Sequence, residues 1–260
     1  MSGDFRPRPQ VGVDHYAARG YNTKERACSF WHQVDEVLGL GAQSVLEVGP
    51  GNGIVSDWLR RVGVEVTTLD MDPALEPDVQ GSVTELPFPD NEFDAALCSQ
   101  VLEHMPFAAA ERGLRELARV ARSGIVLSVP DATPWAGVRR PLYFGGWYIE
   151  EVRRRIPQTR FGLLRALARH EFRLRDWLFC RVVPAAWSLG GPAVELRRPP
   201  VPSGPWTPEG GSEHFWEVGS DGHPLERLSA AVERAGLALV HTYRVPENPW
   251  HRFVVARPRG

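Results

Sequence analysis

This sequence of 260 residues has no long apolar run, only three cysteines and almost no excess of charge of either sign. No run approaches the ~18 apolar residues that span a bilayer, and the opening MSGDFRPRPQ lacks the apolar stretch of a signal peptide. The three cysteines, Cys28, Cys98 and Cys180, are far apart and form no Cys-x-x-Cys pair, which indicates neither a disulfide framework nor a zinc knuckle. We therefore expect a cytoplasmic protein without a bound metal.

The charge is nearly balanced overall but uneven along the chain. With 30 basic and 32 acidic residues the net charge is -2, which does not favour nucleic acid as a partner. Residues 139–181 nevertheless hold eleven arginines against four acids. Among them, Arg165, Arg169 and Arg173 recur every four residues and so share one face of a predicted helix. Such a face is usually solvated, but it could also recognise a phosphate group or contact an anionic membrane surface through residues 160–181.

Hydrophobic periodicity predicts alternating strands and helices from residue 44 onward. The predicted strands are 44–48, 64–69, a short one near Val79, 93–98 and 125–129, with helices at 53–61 and 108–121 between them. Strands rich in Val, Leu and Ile that alternate with helices predict an α/β fold with a parallel sheet covered on both faces. Gly124 stands where the C-terminal cap of the second helix is expected.

Residues 1–40 are predicted to form a helical cap that precedes this alternating core. Its main helix, 24–38, begins behind the cap candidates Asn22 and Thr23. That helix and the one at 53–61 each carry an apolar stripe expected to face the sheet: Ala27, Phe30, Trp31, Val34, Val37 and Leu38 in the first, and Ile54, Val55, Trp58 and Leu59 in the second.

The alternation breaks after residue 130 and resumes near the C-terminus. Residues 131–212 combine an arginine-rich part with a proline-rich part, and we predict that they form an inserted, substrate-binding lid. The C-terminal part of the core, 213–260, contains a predicted helix at 224–235 and predicted strands at 237–243 and 252–256. The connection between these two strands is so short that they must run antiparallel.

The strongest motif is VLEVGPGNG at residues 45–53, in which a predicted strand runs into three glycines and then into a helix. Glycines there allow a sharp turn and the close approach of a ligand to the backbone. Asp70 ends the next predicted strand, about 20 residues further on, where an acid grips the two hydroxyls of a ribose. The Gly-x-Gly-x-Gly spacing and the lack of a following Lys-Ser/Thr disfavour a phosphate-bearing ligand, so an adenosyl group without phosphates is implied.

Two further stretches continue this pattern, GSVTELPFPDNEFDAALCSQVLEHM at residues 81–105 and ARVARSGIVLSVP at 118–130. Together with the glycine motif and the acid that follows it, they resemble the class I S-adenosylmethionine-dependent methyltransferases, type 11 branch, over about residues 40–130. The resemblance implies a Rossmann-like, doubly wound, seven-stranded sheet with an antiparallel last strand and a donor-binding core at 41–130. It also implies S-adenosylmethionine as the methyl donor and S-adenosylhomocysteine as the product.

The resemblance further implies donor-binding roles for individual residues. Glu47 would orient the glycine turn and the amino group of the donor, Asp70 would hold the ribose, and Met71 would flank the adenine. The family usually has an acid that contacts adenine where this chain has Ser82, so adenine recognition would rest on Ser82 or on the backbone near Val83. The predicted donor set is Glu47, Gly49, Pro50, Gly51, Asn52, Gly53, Asp70, Met71, Ser82, Val83, Ser99 and Gln100, with Tyr16, Tyr21 and Gln33 closing the pocket from the N-terminal side.

Three histidines are candidates for removing a proton from the acceptor. His104 follows the fourth predicted strand, beside the expected position of the methyl group, although it could instead pack in that loop. His214 ends the insertion, where it could join Trp216 and Glu217 in a wall over the acceptor or simply pack on the core. His251 precedes the last predicted strand, in a loop expected at the same edge of the sheet.

The sequence favours methylation of a small-molecule acceptor, with O-methylation of a glycan or a secondary metabolite first. Alternatives are an N- or C-methyltransferase of a natural product and a catalytically inactive scaffold that binds the donor. The chain contains no RNA-binding motif, and no NPPY-like or DPPY-like tetrapeptide follows the fourth predicted strand, so nucleic acid is not expected as the acceptor. The glycine spacing disfavours a nicotinamide oxidoreductase, and the sequence does not indicate an oligomeric state.

Overall fold

A computed structural model of the protein describes residues 12–133 and 214–259, together with the backbone of 135–136 and 195–196. Most of the predicted lid, 131–212, therefore lies outside the described residues, as do Cys180 and the arginine-rich segment 160–181 with its predicted phosphate and membrane contacts. Among the described residues, no helix is long and apolar enough to cross a membrane.

The described residues form five α-helices, two short 3₁₀ helices (Pro73–Leu75 and Leu102–His104) and nine strands. The helices are α1 (Val13–Ala17), α2 (Lys24–Gly39), α3 (Ile54–Arg61), α4 (Phe107–Val120) and α5 (Leu225–Arg234). The strands are β1 (Ser44–Val48), β2 (Glu65–Asp70), β3 (Val79–Gln80), β4 (Phe93–Ser99), β5 (Ala121–Pro130), β6 (Trp135–Ala136), β7 (Glu195–Leu196), β8 (Leu237–Arg244) and β9 (His251–Pro258). The two-residue strands β6 and β7 pair with each other, antiparallel, in a separate compact unit.

Seven strands form one sheet in the order β3-β2-β1-β4-β5-β9-β8. Strands β1 to β5 are parallel, whereas β9 runs antiparallel to both β5 and β8. This arrangement confirms the predicted Rossmann-like α/β sheet and the antiparallel final pair. The carboxyl ends of β1, β2, β4 and β5 share one edge, which is where ligands bind in open α/β sheets.

Helices pack on both faces of the sheet, but the predicted apolar stripes were partly wrong. Val34 and Val37 of α2 share one buried cluster with Val55 and Leu59 of α3, and Leu114 and Leu117 of α4 share the other with Leu228 and Val232 of α5. Ile54 and Trp58, in contrast, are 44% and 46% exposed, and Trp31 is 52% exposed. The sheet covers only a narrow stripe of each helix, and the Trp31 and Trp58 rings contact each other edge-on at 5.1 Å instead.

Gly124 is not a helix cap, and the prediction of a cap there was wrong. Helix α4 ends at Val120 and β5 begins at Ala121, so Gly124 lies inside the strand. A Cβ atom at Gly124 would lie 2.7 Å from the carbonyl oxygen of Ala256 in β9. The close approach of the neighbouring strand, rather than a helix end, therefore requires a glycine at this position.

After the predicted lid the chain returns to the carboxyl edge of the sheet. The N–H of Val218 donates to the carbonyl of Pro130 at 3.0 Å, and the N–H of Ala132 donates to the carbonyl of Val218 at 2.8 Å. The N–H of Phe215 donates to the carbonyl of Glu103 at 2.7 Å, in the turn that follows β4. These bonds place the segment around Phe215 beside the ends of β4 and β5.

Asp131, directly after β5, connects that strand to the two C-terminal strands. Its side chain is fully buried and accepts hydrogen bonds from Arg244 of β8, Arg252 of β9 and the hydroxyl of Thr133. Burial alone would raise the pKa of Asp131, but these hydrogen bonds outweigh it and lower the pKa. The network fixes the carboxyl edge on the side of the sheet where the C-terminal strands lie.

Candidate active site

The glycine motif forms a turn in the left-handed backbone region at the carboxyl end of β1. Gly49, Gly51 and Gly53 have φ angles of 74°, 57° and 72°, which favour glycine over every other residue. The N–H of Gly49 donates to the carbonyl of Leu69 at 2.9 Å, so the turn lies beside the end of β2. A Cβ atom on Gly49 would lie 2.5 Å from Cγ2 of Val101, so the turn and the loop after β4 leave no space for a side chain there.

Tyr16 and Tyr21 lie over this glycine turn, on the side where the sequence placed them. A Cβ atom on Gly51 would be 3.1 Å from the Tyr21 hydroxyl oxygen and 3.3 Å from the Tyr16 ring. Burial, together with the charges of Tyr21 and Asp70, raises the pKa of Tyr16 to about 12, so Tyr16 also lies near the predicted ribose acid. Gln33, the third residue predicted to close the pocket, is buried on α2.

Glu47, predicted to hold the amino group of the donor, is buried directly before the glycine turn. Its side chain is 3% exposed, and Oε2 has no hydrogen-bond partner among the described residues. Burial raises the pKa of Glu47 to about 8, although a hydrogen bond with Ser56 and the charge of Arg60 act against it. A buried carboxyl group with an open acceptor atom fits a cationic ammonium group, which would compensate its desolvation.

Asp70 and Met71 lie at the end of β2, beside the glycine turn. Oδ1 of Asp70 accepts a hydrogen bond from the N–H of Asp72 at 2.9 Å. Burial raises the pKa of Asp70 against the hydrogen bonds from the N–H groups of Asp72 and Met71. The carbonyl of Met71 accepts from Nε2 of Gln80 at 3.1 Å. A half-buried acid at this edge fits the two ribose hydroxyls that Asp70 was predicted to hold.

The predicted donor set also includes two residues that follow β3, Ser82 and Val83, and two at the end of β4, Ser99 and Gln100. Ser82 is half-buried, whereas the side chain of Val83 lies in the core and is 2% exposed, so only the backbone of Val83 can face an adenine. Ser99 ends β4, and within the described part of the chain its hydroxyl oxygen is buried without a hydrogen-bond partner. Gln100 has a φ of 55°, which is uncommon for a residue with a side chain and marks a sharp turn.

Pro50 and Asn52 shape the glycine turn itself. Oδ1 of Asn52 accepts a hydrogen bond from the N–H of Ile54 at 3.3 Å, and Nδ2 donates to Oδ1 of Asn22 at 2.7 Å. The carbonyl of Pro50 accepts a hydrogen bond from the N–H of Gly53 at 3.0 Å. Asn52 therefore accepts a hydrogen bond from the first residue of α3 and links the turn to the N-terminal segment, and a contact of either residue with the donor stays a prediction.

His104 and His214 come together at the carboxyl edge of β4. Their ring centroids are 5.1 Å apart, and Nδ1 of His214 lies 2.6 Å from Oε1 of Glu217. Glu103, next to His104, is wholly buried, and its two carboxyl oxygens have no hydrogen-bond partner in the described ranges. Burial raises the pKa of Glu103 against the charges of the two histidines. Sequence reasoning missed Glu103, because one acid in a short apolar turn gives no periodic signal.

The other predicted acceptor-side residues are buried. His251 begins β9 opposite Pro130, at the carboxyl end of β5, and its place at this edge agrees with the sequence, while its role as a base stays a prediction. Trp216 is 1% exposed, its Nε1 donates to the carbonyl of Met105 at 3.1 Å, and its ring contacts Phe107. Trp216 is thus a core residue. Its position supports the prediction that this segment packs on the core, and not the prediction that Trp216 forms a wall over the acceptor.

Comparison with known proteins identifies the region that contains this edge. Residues 46–129 match the model of a family described as a methyltransferase domain. Within residues 46–129 the chain is therefore similar to the class I S-adenosylmethionine-dependent methyltransferases. The resemblance seen in the glycine motif, the acid after β2 and the LEH turn after β4 is confirmed, and S-adenosylmethionine is the donor of this family.

Individual relatives of this chain align with it over part of their length. An uncharacterized methyltransferase of Mycobacterium sp. (strain JLS) is 33% identical over 147 residues, 53% of this chain and 57% of that protein. A ubiquinone biosynthesis O-methyltransferase of Xanthomonas oryzae pv. oryzae is 34% identical over 116 residues, 38% of this chain and 48% of that protein. The chain thus spans about half the length of the curated relatives that it matches.

A solved methyltransferase structure supports the fold assignment. Magnesium protoporphyrin IX methyltransferase from Synechocystis PCC 6803, crystallised with bound S-adenosylhomocysteine, covers 97% of this chain and 90% of its own, with a TM-score of 0.50 and 14% identity. At this identity the likeness concerns the fold alone. The candidate donor side of the site consists of the glycine turn, Glu47 and Asp70, and its candidate acceptor side consists of the histidine pair.

Proposed function

We propose that this protein is a cytoplasmic enzyme that transfers a methyl group from S-adenosylmethionine to a hydroxyl group of a small molecule, a glycan or a secondary metabolite. The observation that carries the proposal is the pair of His104 and His214, of which His104 lies in the loop that packs on the donor turn. Val101, three residues before His104, is the residue that contacts Gly49. A base in this loop would lie beside the methyl group of a bound donor.

The chemistry of the pair favours a hydroxyl as the acceptor. Methyl transfer is an in-line displacement that needs the acceptor aligned at about 3 Å, and an amine needs nothing more. A hydroxyl must also lose its proton, for which an imidazole that titrates near neutral pH is suited. The contact of 2.6 Å between His214 and Glu217 fixes the orientation and tautomer of one imidazole, as in histidines that act as general bases.

The relatives support the same acceptor atom without settling it. The Xanthomonas relative is named as an O-methyltransferase, and its alignment includes less than half of that protein. Methylation of nitrogen or carbon in a natural product would leave the histidine pair without a function in proton removal. A catalytically inactive scaffold would bind the donor but would not consume it.

Turnover with a panel of acceptors tests the proposal directly. The purified chain is mixed with S-adenosylmethionine and with glycans, phenols, alcohols and amines, and the release of S-adenosylhomocysteine is measured from pH 6 to 10. We expect turnover with a hydroxyl acceptor. His104→Ala should lower kcat by about 10²- to 10⁴-fold, with the loss relieved at high pH, and it should leave the donor Kd unchanged.

A surface histidine provides the matched control. His241 is exposed on β8, with Nε2 3.0 Å from Oε2 of Glu36, so His241→Ala should leave turnover unchanged. Turnover with amines alone, or a His104→Ala variant as fast as the parent, would contradict O-methylation through this pair. Donor binding without turnover on any acceptor of the panel would favour the scaffold.

A further inference from the structure

Glu103, His104 and His214 form a cluster of potential metal ligands that the sequence spacing does not reveal. One ligand atom from each of the three residues lies within 4.8 Å of the other two. Two of the residues are neighbours in the turn after β4, whereas the third is 110 positions further along the chain. The hydrogen bond from the N–H of Phe215 to the carbonyl of Glu103 is what brings these distant segments together.

Glu103 is the member of this cluster whose surroundings require an explanation. Its side chain is 0% exposed, and within residues 12–133 and 214–259 neither carboxyl oxygen has a hydrogen-bond partner. A buried carboxylate is unfavourable unless a cation or hydrogen-bond donors compensate it. The charged groups that act on Glu103 are His104, His214 and the carboxyl group of Glu217. Two carboxyl groups and two imidazoles therefore lie close together, and a divalent cation bound among them would compensate the buried carboxylate of Glu103.

We propose that Glu103, His104 and His214 bind one divalent first-row transition-metal ion, with Zn²⁺ as its representative. Two imidazole nitrogens and one carboxylate oxygen are ligands that such ions accept, with coordination positions left for a water molecule or a substrate oxygen. Ligand atoms at about 2.1 Å from a common ion are at most about 4.2 Å apart. Metal binding therefore requires the three side chains to move slightly closer together than the 4.8 Å limit within which their ligand atoms lie.

Glu217 gives this cluster the outer partner that metal-binding histidines usually have. Nδ1 of His214 lies 2.6 Å from Oε1 of Glu217. A proton on Nδ1 that is donated to this carboxylate leaves the lone pair on Nε2, which is the tautomer that binds metal. Glu217 is itself buried, at 4% exposed, so the pairing is shielded from solvent.

The inference deepens the proposed function and rests on it for its role in catalysis. With the ion bound, the two imidazoles would be its ligands and neither would act as the base. The ion would instead lower the pKa of an acceptor hydroxyl that coordinates it beside the donor turn, and the hydroxyl would lose its proton to water. The binding of the ion itself does not depend on methyl transfer, so the two ideas can fail separately.

Titration of the metal-free protein with Zn²⁺ tests the site. The full chain, treated with a chelator and without an affinity tag, is titrated with ZnCl₂ by calorimetry and with CoCl₂ by visible absorption. We expect one ion per chain. Glu103→Gln and His214→Ala should each weaken Zn²⁺ binding at least tenfold, and Glu217→Gln should weaken it about 10- to 100-fold. The affinity for S-adenosylhomocysteine should be the same in all three variants.

His241→Ala is the control and should bind Zn²⁺ like the parent. Each variant is compared by circular dichroism, and His214→Ala, at a half-buried position, decides the outcome if Glu103→Gln fails to fold. No saturable Zn²⁺ binding by the parent, or equal binding by the parent and His214→Ala, would overturn the site. If the parent binds Zn²⁺ but turns over none of the hydroxyl acceptors in the panel, the result would count against the proposed function alone.

Discussion

At the scale of single residues, Glu47 shows how a binding site can conflict with stability. The side chain is buried, one oxygen has no partner among the described residues, and its pKa is raised from 4.5 to about 8. Without the donor it is largely protonated at neutral pH. A bound ammonium group would reverse that preference, so donor binding should release a proton.

Glu47→Gln is predicted to separate these two effects. Because the pKa is raised in the folded state, protonation of Glu47 contributes stability that is complete below about pH 4.5 and is lost as the pH rises to about 8. Glutamine stays neutral at every pH. The free energy of unfolding of the variant should therefore rise relative to that of the parent between pH 5 and pH 8, by roughly 1.4 kcal/mol per pH unit at most and by a few kcal/mol in all. Urea unfolding at both pH values, without donor, measures this.

The same variant should bind S-adenosylhomocysteine at least tenfold more weakly, because a carboxylate–ammonium hydrogen bond is replaced by a neutral one. Glu226→Gln, at an exposed position of α5, is the control and should change neither property. An equal stability difference between Glu47→Gln and the parent at pH 5 and pH 8 would contradict the assignment.

At the scale of elements, the glycine turn and the loop after β4 fit each other. Gly49 needs its left-handed φ of 74° for the turn, and it also needs the absence of a Cβ atom because Val101 lies so close. The sequence predicted the turn from the three glycines. It did not predict the second constraint, which depends on the packing of two loops about 50 residues apart in the chain.

Gly49→Ala and Gly41→Ala should therefore differ in their cost. Both positions have a φ of 74°, so alanine at either should cost about 1–2 kcal/mol of unfolding free energy. Nothing lies within 4 Å of a Cβ atom at Gly41, whereas Gly49→Ala also meets Val101, which should add about 1–3 kcal/mol. Urea unfolding of the two variants measures the difference. Equal costs would show that the loops do not pack as described.

The helices and strands were predictable because each has its own pattern of apolar residues within a short stretch of the sequence. The strand at 44–48 and the antiparallel C-terminal pair follow from apolar runs and connection length, and both are confirmed. The errors concern neighbours that no local pattern specifies. Trp58 lies on an apolar stripe but contacts Trp31 at the surface, and Gly124 follows a helix but faces Ala256 of β9.

At the scale of the whole molecule, the acceptor side of the site is assembled from two segments separated by the predicted lid. The sequence indicated His104 and His214 as separate candidates, and their pairing required the return of the chain to the edge of β4. Glu103 carried no signal at all until its burial was known. The predicted donor residues from Glu47 to Gln100 were taken from motifs, and all of them lie within the segment that matches the methyltransferase-domain model.

The central claim is that the glycine turn, Glu47 and Asp70 form a site for S-adenosylmethionine. Calorimetric titration of the full chain with S-adenosylmethionine and S-adenosylhomocysteine tests it most directly, with a reduced nicotinamide dinucleotide as the control ligand. We predict saturable binding of one sulfur ligand per chain, no binding of the dinucleotide, and at least tenfold weaker binding by Asp70→Ala. A folded protein that binds neither sulfur ligand, or an Asp70→Ala variant with unchanged affinity, would contradict this account.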